Sequence, residues 1–212
     1  MRVGLFGGSF NPIHFGHLRA AEEDREALNL DLVYFIPAAS PPHKPEGDLA
    51  PADHRLQMAR LAAKGNRHFM VSDVEVRRSG RSYTIDTVRY FNQTLRQPST
   101  IYLLMGTDQF NELETWKDAA ELVTMCNIAV HSRPPDADTE VGRISLAALK
   151  HFGYVKGDDH YVHPSSKTLS FIATTTLQIS ATSIRRKIRQ RESINYLLPG
   201  DVVDYINRHL IY

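Results

Sequence analysis

Disulfides, membrane-length apolar runs and a net electrical field are all missing from this chain. A single cysteine in 212 residues excludes an internal disulfide framework and fits a reducing compartment. Val123, Met125, Ile128 and Val130 surround it with apolar character, so Cys126 reads as a small core residue. No apolar run of about 18 residues occurs. Only Arg2 precedes the first apolar stretch, which Gly7 and Gly8 then break. The expectation is a cytoplasmic protein with neither signal peptide nor membrane partner. Net charge is just as small: 25 Lys+Arg oppose 24 Asp+Glu, a net +1. That leaves no global basic field for bulk binding of nucleic acid, which is not expected as a partner. There is no internal repeat and no low-complexity tract.

What remains is an ordinary globular composition, 42% hydrophobic and 23% charged, and a length that can bury one substantial core. Residues 1–212 are therefore read as one domain, with 179–212 as a C-terminal helical part. Short apolar runs alternate with amphipathic stretches. Strands are predicted at Arg2–Phe6, Leu32–Ile36, Phe69–Val76, Thr100–Met105, Asn127–His131 and Leu169–Thr174. Helices are predicted at His14–Leu28, Asp53–Ala63, Thr84–Leu95, Trp116–Thr124, Thr182–Arg191 and Asp201–Leu210. Strands spaced by helices imply βαβ units, hence an α/β fold whose mainly parallel sheet is covered on both faces. Residues 134–167 carry weak periodicity and are read as a variable helix and loop.

Directly after the first predicted strand comes GGSFNPIHFGH, residues 7–17. Ligands of open α/β sheets bind beyond the carboxyl ends of the strands. Gly7 and Gly8 stand at such an end and let backbone amides approach an anion. The helix that begins near His14 turns its free N–H groups and positive dipole end to the same space. His14 and His17, three apart, share one helix face. The spacing is neither the dinucleotide fingerprint nor a P-loop. On the residues alone three readings of the histidines stay open: phosphate binding, plain packing, and a metal site for which no nearby Cys, Asp or Glu supplies a third ligand.

The motif resembles the signature of the HxGH nucleotidyltransferase superfamily, here as His14-Phe15-Gly16-His17. That superfamily usually carries a second motif near the C-terminal end, and ISATSIR, residues 179–185, matches it. There Ser180 and Thr182, both good helix N-caps, lead into a helix bearing Arg185, Arg186, Lys187 and Arg189, a setting that suits a triphosphate. PPHK (41–44), RSYTIDTV (81–88), MGTDQF (105–110), Trp116, HSRP (131–134) and LLPGDVVDYINRHLIY (197–212) are together similar to bacterial nicotinate-nucleotide adenylyltransferases along nearly the whole chain. The stretch Asp136–Ser166 matches poorly. Asn11 stands where that family often has Asp, and His131-Ser132 is its variable pair before an arginine.

The resemblance implies a Rossmann-like, doubly wound fold and transfer of the adenylyl group of ATP to nicotinate mononucleotide. The products would be deamido-NAD and pyrophosphate. Gly7, Gly8, Ser9, Phe10, His14 and His17 would line the ATP phosphates, with Lys44, Ser180, Thr182, Ser183 and Arg185 completing the enclosure. His14, His17 and Arg185 would be catalytic. Thr84 and Trp116 would hold the nicotinate ring. Asp108 would hold ribose hydroxyls or help organise Mg²⁺-bound phosphates, and Arg133 would meet the acceptor phosphate. Mg²⁺ would arrive with ATP, without a dedicated protein metal site.

Each residue also has a plainer reading: Trp116 as a core aromatic, Thr84 as an N-cap, Asp108 as the cap of the Gln109–Leu113 turn, Arg133 as a strand end, Lys44 as a solvated loop residue. Rival functions are an HxGH adenylyl- or cytidylyltransferase with a nicotinamide mononucleotide or phosphopantetheine acceptor, a non-catalytic nucleotide sensor, and a metal-dependent hydrolase. A homo-oligomer is left open.

Overall fold

A computed structural model describes residues 1–41, 49–132 and 146–212. The first strand, β1 (Arg2–Gly8), is followed by α1 (Phe15–Ala27), β2 (Leu32–Pro37), α2 (Ala52–Ala63), β3 (Phe69–Val71), α3 (Val74–Arg77) and α4 (Thr84–Thr94). Next come β4 (Thr100–Gly106), α5 (Thr107–Asn111), a 3₁₀ turn (Leu113–Thr115), α6 (Ala119–Met125) and β5 (Asn127–Ser132). The chain then forms α7 (Leu146–His151), β6 (Val155–Lys156), β7 (Tyr161–Val162), β8 (Thr168–Ala173), α8 (Ala181–Arg189) and α9 (Gly200–His209).

The strands build one sheet in the order β3-β2-β1-β4-β5-β8-β7-β6. All pairs from β3 to β8 are parallel, and among the described residues only β6-β7 and β7-β8 run antiparallel. Because successive strand residues face opposite sides, β1 contributes Val3 and Leu5 to one core and Phe6 to the other. The first core packs Ile85, Val88 and Phe91 of α4 and Leu122 and Val123 of α6 on the sheet. The second packs Ala21 of α1, Met58 and Ala59 of α2, Ile184 of α8 and Val202, Val203 and Ile206 of α9 on its other face. Each fully buried aliphatic side chain contributes about 1.5–3 kcal/mol, so two covered faces outweigh any local preference along these strands. This is the doubly wound, Rossmann-like arrangement. Among the described residues no helix is long and apolar enough to cross a membrane.

Three expectations are corrected. The strand expected over Phe69–Val76 stops at Val71, and α3 follows, because Val74 packs on the first core while Glu75 is buried with its carboxylate accepting from Thr87. The helix expected from Trp116 starts at Ala119, since Asp118 holds φ 52°, ψ 37° and breaks helical continuity. Within 134–167 the described part is α7 followed by the β6-β7 hairpin, which extends the sheet past β8.

Candidate active site

The sheet order reverses between β1 and β4, the place where parallel α/β sheets open a crevice at their carboxyl edge. A cleft of about 1050 Å³ lies there. Gly7, Gly8, Ser9, His14 and His17 line it from the first junction, Thr84, Asp108 and Trp116 from one wall, and Ser180 from the second motif.

His14 is the N-cap of α1, not a residue of its first turn. Its ring lies 3.8 Å from the His17 ring at a 31° tilt, and its backbone N–H donates to His17 Nδ1 at 3.2 Å. Gly16 suits this stack: a Cβ there would sit 3.0 Å from His14 Nδ1 and Cε1, so the His14 ring would have to give way by a few tenths of an ångström. A Cβ on Gly7, by contrast, would meet no protein atom within 4 Å, so it would project into the open cleft. Phe10 has its ring in the second core against Phe6, Phe35 and His17. Phe10 also lines the cleft, and it turns the chain there through φ 43°.

Ser180 caps α8, accepting from Ser183 N at 3.1 Å. Thr182 is inside the helix and accepts from Arg185 Nη2 at 3.5 Å, so of the two expected caps only Ser180 serves. Thr182 and Ser183 do not line the cleft. Arg185 does not line it either; its Nη1 donates to the carbonyl of Asn11, a cleft residue, at 2.9 Å. The two motifs, 174 residues apart at this bond, therefore meet.

Thr84 is the first residue of α4, with Tyr83 in the cap position. Trp116 follows the 3₁₀ turn, half-buried, packed on the first core and lining the cleft. It is thus both a core aromatic and a wall. Asp108 is exposed in the first turn of α5, whose cap is Gly106. Lys44 and Arg133 lie outside the described residues. No three His, Cys, Asp or Glu side chains converge as a metal site among the described residues.

Several groups at the site had no expected role. Arg55 is buried, and its guanidinium donates to the carbonyls of Ser9, Ala38, Ala39 and Ala50 at 2.6–3.1 Å. Burial lowers its pKa, yet a guanidinium remains charged. A fixed positive charge thus underlies the Ser9 turn. Glu75, buried at the cleft, has its carboxyl pKa raised by burial, against the opposing hydrogen bond from Thr87. Asp24 of α1 is fully buried, and its Oδ2 lies 3.0 Å from Nδ1 of His131 at the end of β5. Burial raises the Asp24 pKa, and His131 opposes the shift. Nothing local announces these pairs; Asp24 and His131 are 107 residues apart.

Comparison with known proteins agrees with this geometry. A cytidylyltransferase-like family model matches residues 5–187. A probable nicotinate-nucleotide adenylyltransferase of Geobacter metallireducens is 42% identical, the match covering 100% of this chain and 98% of that protein. Another, of Pelobacter propionicus, is 40% identical with the same coverage. The fold is similar to the Plasmodium falciparum nicotinic acid mononucleotide adenylyltransferase complexed with NaAD, with a TM-score of 0.74 at 18% identity, covering 100% of this chain and 97% of that one. With two motifs joined in one cleft and relatives matched end to end, the chain belongs to the nicotinate-nucleotide adenylyltransferases of the cytidylyltransferase-like family.

Proposed function

We propose that this protein transfers the adenylyl group of ATP to nicotinate mononucleotide, releasing pyrophosphate and forming deamido-NAD. The observation that carries this reading is the Arg185 guanidinium seated on the Asn11 carbonyl, within the turn that leads to His14 and His17.

The acceptor is a phosphate monoester whose second pKa is about 6. At neutral pH its oxygen is an anion competent to attack the α-phosphorus of ATP, so no general base is needed. The O–P bond to pyrophosphate breaks as the new one forms. The obstacle is repulsion between two anions, together with charge growing on the leaving group. Positioned donors address both. His14, His17 and Arg185 act as donors to the polyphosphate, backed by the amides of Gly7, Gly8 and Ser9 and by the positive ends of α1 and α8. Arg55 adds positive charge beneath them. Lys44 would add a further positive partner for phosphate.

Thr84 and Trp116 hold the nicotinate ring, the indole by stacking, and Arg133 takes the acceptor phosphate. Holding two reactants in line supplies on the order of 7–11 kcal/mol of a barrier. Mg²⁺ would arrive with ATP and supply neutralisation of phosphate charge, while Asp108, exposed on the cleft, would hold ribose hydroxyls or help organise the Mg²⁺-bound phosphates. A cytoplasmic location fits the free, buried Cys126.

Pyrophosphate release measured with ATP and either mononucleotide tests the reading. The expected outcome is turnover with nicotinate mononucleotide in preference to the nicotinamide form. The reverse preference would overturn the acceptor, and silence with both would leave a nucleotide sensor.

A further inference from the structure

Asp24 and His131 are a buried carboxylate and a cleft-lining imidazole for which adenylyl transfer as described above has no use. The carboxylate is fully buried inside α1, and its other oxygen, Oδ1, has no hydrogen-bond partner among the described residues. Among the described residues Nδ1 of His131 alone compensates it, at 3.0 Å. The imidazole is held a second time by Phe6, whose ring stands edge-on at 5.4 Å. With Nδ1 turned to Asp24 and the ring clamped, Nε2 is left at the other end, beside Gly106.

Gly106 shows what Nε2 faces. A Cβ at that position would sit 3.8 Å from His131 Nε2 and 2.6 Å from Asp108 Oδ1. The two polar atoms thus stand on the same side of Gly106, on residues that all line the cleft, and any side chain at Gly106 would crowd them. A ligand group there must suit a carboxylate on one side and an imidazole nitrogen on the other. A phosphate oxygen accepts only and would oppose the carboxylate. A hydroxyl donates to Asp108 and still offers lone pairs or a neighbouring hydroxyl to the imidazole.

We propose that His131, oriented by Asp24 as a positioning residue, reads a ribose hydroxyl of the bound nucleotide opposite Asp108. The nucleotides themselves come from the adenylyl-transfer reading, on which this inference rests.

The test is calorimetric binding of ATP, 2′-deoxy-ATP and 3′-deoxy-ATP, and of nicotinate mononucleotide with its deoxy analogues, to the wild type and three variants. The wild type is expected to bind one ribonucleotide about tenfold more tightly than its deoxy form, the share of one hydrogen bond. The nucleotide showing the preference identifies the ribose. His131→Ala and Asp24→Val should abolish the preference, while Asp24→Asn, which keeps an acceptor for Nδ1–H, should restore most of it. Tm is measured for each variant alongside binding, and Asp24→Asn, which keeps the Nδ1–H acceptor, is expected to stay near the wild type. A wild type without preference, a His131→Ala variant that keeps it, or equal weakening of ribo- and deoxynucleotides in that variant would each overturn the proposal. Binding needs no turnover, so intact discrimination without pyrophosphate release would sink the adenylyl-transfer reading and leave this one standing.

Discussion

A ring nitrogen that accepts a hydrogen bond from a backbone amide cannot also carry the proton of a neutral imidazole. His17 Nδ1 accepts from His14 N, so the neutral His17 ring holds its hydrogen on Nε2. The N-cap geometry of α1 therefore delivers a donor, already aimed, without cost at the moment of reaction. His17→Ala is expected to lower kcat about 10²- to 10³-fold, the usual loss for one transition-state donor, with an unchanged circular dichroism spectrum; near-native turnover would remove His17 from the mechanism. Trp116, the only tryptophan, offers a second test: acceptor binding should quench its emission, and ATP alone should not. The residues whose place on the cleft was legible in the sequence, His14, His17, Trp116 and Ser180, are those marked by a local motif or by rarity. Arg55, Asp24 and His131 were silent because their partners are carbonyls and side chains supplied by other elements.

At the level of elements, the β1–α1 junction separates ligand space from protein space by two glycines. A methyl on Gly7 would enter the cleft, whereas one on Gly16 would strike the His14 ring at 3.0 Å. Gly7→Ala should therefore weaken ATP binding, read as a raised KM, with Tm unchanged. Gly16→Ala, inside α1, gains up to about 1 kcal/mol of helix propensity and should cut kcat by displacing His14. A KM effect from both, or from neither, would contradict this division. Long periodic elements were legible from sequence, and α4 and β4 lie close to their expected spans. The turns at Ser72–Asp73 and Asp118 were not, because a β-rich run and a helical run there yield to the burial of Glu75 and to one left-handed residue. The β6-β7 hairpin was missed since strands of two residues carry no period.

Over the whole molecule, stability at alkaline pH is set by acids buried in their neutral form. Burial pushes the Cys126 thiol up from 9.0 to about 12. The unfolded thiol loses its proton first, so this group favours the fold fully below pH 9.0 and progressively less as pH rises toward about 12. Burial raises the hydroxyls of Tyr154 and Tyr212 as well, with the same sign. Urea midpoints should fall between neutral and alkaline pH, and Cys126→Ala should show a smaller fall than the wild type. An identical fall in both would mean the thiol is exposed to solvent in the folded state.

The contact between Arg185 and Asn11 has one more outcome, which concerns time. A growing polypeptide makes His14 and His17 well before Arg185, the cation proposed to complete their grip. By that proposal, half-made chains on the ribosome would hold no competent catalyst, and a protease that clips off α8 and α9 would silence the enzyme at a single stroke.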